Sequence, residues 1–338
     1  MSGIVPQVNI AAWLSGGAPR DEIARAVDEA CRGVGFLEVA GHGIPAATIE
    51  AALDASDRFF ALPPAEKLRS RPDRPEVNRG YAPLGSEALA YSLGRERPPD
   101  LFEAFNIGDD TLPPATPEAV AAFFAANIWP AQPGGFEEAL WGYFQQAVAL
   151  SRTLLEIFAH ALGLPAGWFG PHDDHATLTM RTIRYQRHPA SPAGPPPADQ
   201  LGMSEHTDYG IVTVLYADSI PGLQIVDPAG AWHDVVPSPG NLLINLGDLL
   251  AQWTNDRWRS TIHRVVPPPP GTVRRSMAMF NDGNYDTLVE VLPTCTDADN
   301  PPRYPPVTAG EHLLAKLVGP RRQTPASAVD TTAGRLPS

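Results

Sequence analysis

Two cysteines, Cys31 and Cys295, are all that 338 residues contain. They are too few and too far apart for a disulfide framework, so both are expected as free thiols in a reducing compartment. No stretch of about eighteen apolar residues occurs, which speaks against a membrane-spanning helix. The start, Met1 to Pro6, lacks a basic segment followed by an apolar run, and a cytoplasmic protein is expected. Positive charge is scarce. Lys and Arg number 25 against 38 Asp and Glu, a formal net charge of -13. Nucleic-acid binding needs a basic surface that this balance denies, leaving small molecules as the expected partners. Internal repeats and long charge runs are also missing. With 43% apolar and 19% charged residues the composition is that of an ordinary soluble enzyme, and residues 1–338 are read as a single catalytic unit.

Against this background one constellation carries chemistry. His206-Thr207-Asp208 places an imidazole and a carboxylate at i and i+2, which on a strand point to the same side. A second imidazole, His263, sits where polar Arg259–Thr261 gives way to Ile262–Val266, a candidate strand. Two histidines and one carboxylate are the ligand set of mononuclear non-haem iron(II), held on one face with the other positions open to substrates and O2. Arg274 and Ser276 repeat the i, i+2 spacing, so a guanidinium and a hydroxyl on one strand face can clamp a carboxylate. Arg275 then points the other way. A decoy is also present: His172-Asp173-Asp174-His175 has its own His-x-Asp, with His233 downstream. No Arg-x-Ser follows His233, only the turn Pro237–Gly240, and the His172–His175 cluster reads as a solvated loop after a helix.

The runs Glu205–Gly210, Gly222–Gln224, Asn245–Asp248, Trp253–Asn255 and Ser260–Val265 together resemble the isopenicillin N synthase-like family of iron(II) and 2-oxoglutarate-dependent oxygenases. In the N-terminal half, Gly35–Val39, Gly41–Pro45, Arg79–Tyr81 and Asp100–Glu103 look like that family's N-terminal region. The resemblance implies an α+β fold, a double-stranded β-helix (jelly roll) core flanked by helices, with an N-terminal region over 5–115 and the oxygenase core over 176–290. It further implies that His206, Asp208 and His263 hold Fe(II), that 2-oxoglutarate chelates the iron, and that Arg274 with Ser276 binds the distal carboxylate. O2 takes the remaining position. Oxidation of a small organic molecule, by hydroxylation or desaturation, is then coupled to decarboxylation of 2-oxoglutarate to succinate and CO2. The alternative is an oxidase of the same fold that does not use 2-oxoglutarate, since such enzymes keep the Arg-x-Ser pair. A metal-binding jelly roll without turnover is disfavoured by the anion clamp, and zinc hydrolysis by the lack of an evident general base.

The first third of the chain reads as helical with one strand inserted: helices over Asp21–Arg32 and Ile49–Phe60, a strand over Phe36–Val39. Phe136–Leu162 is the longest helical segment, with Leu140, Phe144, Val148, Leu154, Leu155 and Phe158 in one wide stripe and Gly163 as its stop. Thereafter Leu178–Tyr185, Ile211–Tyr216, Leu223–Val226, Trp232–Val236, Asn241–Asn245, Ile262–Val266 and Ser276–Phe280 are short strands between Pro, Gly and Asp clusters. If the first of these is regular, Arg181, Ile183, Tyr185 and Arg187 share a face. Arg181 and Tyr185 then join the cosubstrate pocket, in place of the Asn-x-Tyr pattern of many plant-type relatives. A buried arginine needs an anion, either a carboxylate of substrate or cosubstrate or a partner in a structural ion pair. Tyr209 and Phe280 are substrate-pocket candidates by position. The Pro-rich loop Pro189–Gly202 reads first as a plain surface connection, with a place at the pocket mouth as the alternative; the resemblance implies that Tyr81–Asp110 helps shape the substrate pocket; and 320–338 reads as a loose tail, or as a segment folded over the active site.

Overall fold

The structure, a computed structural model, describes residues 3–322 except 18, 75, 96, 112, 114–121 and 187–199, and omits the side chains of 317–322. In chain order the elements are β1 (Gln7–Asn9), α1 (Ala11–Leu14), α2 (Arg20–Gly33), β2 (Phe36–Ala40), α3 (Ala46–Phe60), α4 (Pro64–Leu68), β3 (Gly80–Ala82), β4 (Phe102–Gly108) and α5 (Phe136–Ala161). Then come β5 (Leu178–Gln186), β6 (Met203–His206), β7 (Val212–Ala217), β8 (Leu223–Val226), β9 (Trp232–Asp234), β10 (Leu242–Leu246) and α6 (Asp248–Trp253). The chain closes with β11 (His263–Val265), β12 (Val273–Asn281), β13 (Leu288–Val289), β14 (Val307–Thr308) and α7 (Ala309–Arg322).

An eight-stranded sheet in the order β1-β2-β10-β7-β12-β5-β4-β3 and a four-stranded sheet β6-β11-β8-β9 form the double-stranded β-helix. The large sheet is buried on both faces. Met180, Val214, Ile244, Met277 and Met279 pack toward the helices in one cluster, while Ile183, Tyr185 and Leu243 join Met203, Leu223, Ile225 and Val265 of the small sheet in another. The support behind the large sheet is α5. It begins after Gly135, carries Glu137 and Glu138 in its first turn where the helix dipole favours them, and ends at Gly163, whose φ of 68° is the left-handed stop. Between those ends Leu140, Tyr143, Phe144, Ala147, Leu150, Leu154 and Phe158 are buried at helical spacing.

Two expectations need correction. The first third holds more than one strand: β1, β3 and β4 extend the large sheet, and the supposed loop Tyr81–Asp110 contains β4, paired over seven positions with β5 from Phe102↔Tyr185 to Gly108↔Thr179. Its alternation serves two buried faces, Phe102 and Ala104 inward, Phe105 and Ile107 toward the helices, so no polar period marks it as a strand. Also, Asp173 is not solvated. It is 5% exposed and accepts bonds from Arg152 Nε (2.9 Å) and Asn281 Nδ2 (2.6 Å). The expected tail is helical to Arg322; residues 323–338 lie outside the described residues, as does most of the Pro189–Gly202 loop together with Arg187. No helix of the described residues is long and apolar enough to cross a membrane, and both cysteines are buried free thiols.

Candidate active site

Antiparallel pairing sets His263 at the head of β11 directly opposite His206 at the end of β6. Their rings lie 4.2 Å apart between centroids. Each Nδ1 meets a main-chain carbonyl two residues back, Ser204 O at 2.8 Å for His206 and Thr261 O at 3.0 Å for His263. A carbonyl only accepts, so Nδ1 carries the proton in both and Nε2 is the free lone pair. Asp208 closes the triangle: its Oδ1 is 3.9 Å from His206 Nε2 and 3.8 Å from His263 Nε2. Its Oδ2 is held by Thr213 Oγ1 and by Asn245 Nδ2 at 2.6 Å, which turns Oδ1 toward the imidazoles. All three side chains are buried, and this is the one such His/Cys/Asp/Glu cluster among the described residues. The decoy does not assemble. His175 bonds Asp174 and Asp286, and His233 bonds Asp227.

Electrostatics suit a metal. Burial first, then the neighbouring His263, pushes His206 down to about 3, so it is a neutral imidazole at physiological pH. Burial works to raise Asp208, yet the two imidazoles and the bonds from Thr213 and Asn245 hold it below the ordinary carboxylate range. The segment between them is pinned from below: Thr207 Oγ1 donates to Asp248 Oδ2 (3.1 Å), and the Asp248 amide donates to Asp208 O (2.9 Å). Sequence reasoning quoted Asn245 and Asp248 without giving them roles and missed Thr213. For Asn245 the signal is indirect, a polar residue inside an apolar strand, LLINL, with every position buried.

The triad opens into a cavity of about 130 Å³ between the sheets. Alternate residues of β12, namely Arg274, Ser276, Ala278 and Phe280, line it, as do Arg181 and Tyr185 of β5. Arg274 is 2% exposed, and its Nε and Nη1 find no hydrogen-bond partner among the described residues. Its guanidinium lies 5.1 Å above the Tyr185 ring, and the Tyr185 hydroxyl donates to Met203 Sδ at 3.9 Å. Room for Arg274 comes from Gly222, where a Cβ would stand 3.0 Å from Arg274 Cδ. A buried guanidinium with unmade bonds beside the His206, Asp208 and His263 triad fits an anionic group bound there. Arg275 points outward to Asp57 (2.7 Å), as its register requires. Arg181 has its Nε on Asn106 and its Nη2 on Glu87, both at 2.9 Å; of the two alternatives open for it, the ion pair is formed. Tyr209 and Phe280 line the same cavity.

One further carboxylate tunes the scaffold. Asp100 accepts from the Leu89 amide (2.9 Å) and from the Ser204 amide (2.8 Å) and hydroxyl, tying the 3-10 turn Leu89–Leu93 to β6. Burial pushes it from 3.8 up to about 7 despite these bonds. A raised acid stabilises the fold below its unfolded value and loses that contribution as pH climbs through the folded value, by at most about 1.4 kcal/mol per pH unit. Metal-free protein is therefore expected to melt at a higher temperature at pH 6 than at pH 8. Asp100→Asn, though less stable at both, should shrink the difference; scanning calorimetry at the two pH values checks it.

Residues 5–132 match the family described as non-haem dioxygenase in morphine synthesis N-terminal, and residues 176–283 match the 2OG-Fe(II) oxygenase superfamily. The chain is similar to 2-oxoglutarate-Fe(II) type oxidoreductase hxnY of Emericella nidulans, 34% identical over 86% of this chain and 83% of that one. To homoarginine-6-hydroxylase 2-ODD-233 of Oryza sativa subsp. japonica it is 32% identical over 88% and 89%. Among solved structures, that of a full-length Neurospora crassa protein in complex with alpha-KG and thymine superposes with a TM-score of 0.81 at 30% identity, covering 93% of this chain and 96% of that one. The chain thus belongs to the 2OG-Fe(II) oxygenase superfamily and is an iron(II)- and 2-oxoglutarate-dependent dioxygenase.

Proposed function

We propose that His206, Asp208 and His263 are the iron ligands, through Nε2, Oδ1 and Nε2, and that Arg274 with Ser276 anchors the distal carboxylate of 2-oxoglutarate. The observation that carries this reading is the pair of buried Arg274 nitrogens, without partners among the described residues, in the cavity onto which the triad opens. Bound Fe(II), 2-oxoglutarate and O2 supply the oxidative decarboxylation to succinate and CO2 and the power to break a substrate C–H bond. The chain's own work is positional. Carbonyl bonds at Nδ1 fix both imidazole tautomers, and Thr213 with Asn245 fixes the carboxylate rotamer. Tyr185 walls the cosubstrate side under Arg274. Arg181, neutralised by Glu87, borders that side. Apolar walls restrict water around the reacting groups.

The oxidation we assign is hydroxylation or desaturation of a small organic molecule, in keeping with the thymine and homoarginine named for relatives. A cytoplasmic setting accords with Cys31 and Cys295 as buried thiols. Anaerobic mixing of the protein with Fe(II) and 2-oxoglutarate is expected to give the weak visible charge-transfer band of the chelate. On admission of O2 with a substrate, succinate should form in proportion to product. A missing band would remove the anchor assignment.

A further inference from the structure

One part of the cavity is used by neither the triad nor the Arg274 anchor. Among the charged residues of its wall, Glu87 and Arg181 neutralise each other at 2.9 Å. Arg79 directs its guanidinium to the carbonyls of Asn78, Asp109, Phe123 and Ala125. Asp208 faces the imidazoles, and Arg274 faces the cosubstrate position. Asp282 is left over. It continues the inward stripe of β12 beyond Phe280, at the opposite end from Arg274, and its carboxylate has no hydrogen bond or ion pair with any described residue. The side chain lies hard against the backbone at Gly210, where any Cβ would overlap Asp282 Oδ1, so the residue after Tyr209 has to be glycine for Asp282 to stand there.

Thr177 adjoins it. The two segments are laced by the Thr177 amide donating to Gly283 O (2.8 Å) and the Asp282 amide donating to Thr177 O (3.1 Å). Thr177 is 3% exposed, lines the same cavity, and its Oγ1 also lacks a partner among the described residues. Thr177 Oγ1, buried without a partner among the described residues, beside the half-buried Asp282 carboxylate on one cavity wall is the mark of a ligand subsite, because burial without partners is otherwise unfavourable.

The sign of the ligand follows from the charges. Ionised Asp282 offers only acceptors and Thr177 an acceptor or a donor; burial and the negative charge of Asp208 both oppose ionisation of Asp282, and a bound cation relieves that opposition. An anionic group is repelled. The intervening wall, including Leu89, Phe123, Tyr209, Phe280 and Leu313, is largely apolar. We propose that Asp282 and Thr177 form the polar seat of the substrate, and that the seat takes a cationic nitrogen, a primary ammonium or guanidinium, on a mainly apolar body. This rests on the cavity being the Fe(II) and 2-oxoglutarate site, and it replaces the carboxylate-bearing substrate that a free Arg181 would have favoured.

A length-matched trio of n-hexylamine, 1-hexanol and hexanoate tests the sign. Each is titrated anaerobically into enzyme loaded with Fe(II) and 2-oxoglutarate, reading the perturbation of the charge-transfer band and the melting temperature. Hexylamine is expected to bind at least tenfold more tightly than hexanol, and hexanoate more weakly than either. Asp282→Asn should bring hexylamine to the level of hexanol, and Thr177→Val should weaken it about threefold. The second variant carries the comparison should the first fail to load iron. Hexanol or hexanoate binding as well as the amine, no response to the amine, or an amine preference that survives these substitutions would overturn the proposal. Failure to form the band with Fe(II) and 2-oxoglutarate counts instead against the cofactor-site reading beneath it.

Discussion

His206→Ala protein is expected to remain folded yet show no charge-transfer band with Fe(II) and 2-oxoglutarate, and to form no succinate above the metal-free background. The structural reason is that the site has three donors and no reserve. Asp208 Oδ1 and the two Nε2 atoms face one another within a buried triangle, and no other His, Cys, Asp or Glu cluster exists among the described residues to substitute. Loss of an outer partner alone typically lowers metal affinity by about 10- to 100-fold, and loss of a ligand should exceed that. Asn245→Ala supplies the graded comparison. It removes the 2.6 Å bond that turns Asp208 Oδ1 inward, so iron affinity should fall by about 10- to 100-fold while the band survives at saturating iron. Equilibrium Fe(II) titration with circular dichroism as the fold control separates the cases. Equal loss in both variants, or a band in His206→Ala, would mean that the triad does not hold the metal as described.

That the triad could be read from the chain reflects how local its geometry is. His206 and Asp208 are two residues apart at a strand end, and Arg274 and Ser276 share a face of β12, so strand periodicity alone brings each pair to one side. The long helices were legible for a similar reason: Leu140 to Phe158 and Ile23 to Ala30 repeat at helical spacing on surfaces buried on one side. Legibility ends where a residue's role depends on a neighbour distant in sequence. Arg181 could be placed on the inward face, but its partner Glu87 is 94 positions away, and nothing local distinguishes that ion pair from a substrate contact. Thr213 and Asn245 meet Asp208 only because β7 and β10 lie side by side. β4 escaped notice because both its faces are buried, which erases the polar alternation that marks a half-exposed strand. In the decoy, His175 and His233 have the composition of ligands but are satisfied by nearby carboxylates, and Asp173 is engaged by α5 and β12.

Arg274→Lys should leave iron binding intact while weakening 2-oxoglutarate by at least about tenfold, or roughly 1.4 kcal/mol. Shape rather than charge separates the two side chains. The guanidinium is planar, lies on the Tyr185 ring and has Nε and Nη1 without partners among the described residues; either nitrogen, together with Nη2, offers the parallel pair of N–H bonds that meets both oxygens of one carboxylate in a fork. A lysine ammonium is a point donor on a longer-ranging stem. It keeps the charge, cannot span both oxygens, and lacks a flat face for the ring. The space that Gly222 leaves beside Arg274 Cδ would be poorly filled as well. Two measurements check this. Titration of the band reports affinity directly, and the rise in stability on adding 2-oxoglutarate to Fe(II)-loaded protein should follow binding linkage. At a concentration of 100 Kd for the parent protein that rise is about 2.7 kcal/mol, falling to roughly 1.4 kcal/mol when affinity drops tenfold. An unchanged midpoint and an unchanged stability increment in Arg274→Lys would show that the fork is not what binds the cosubstrate, and Nε and Nη1 of Arg274 would then need another anion.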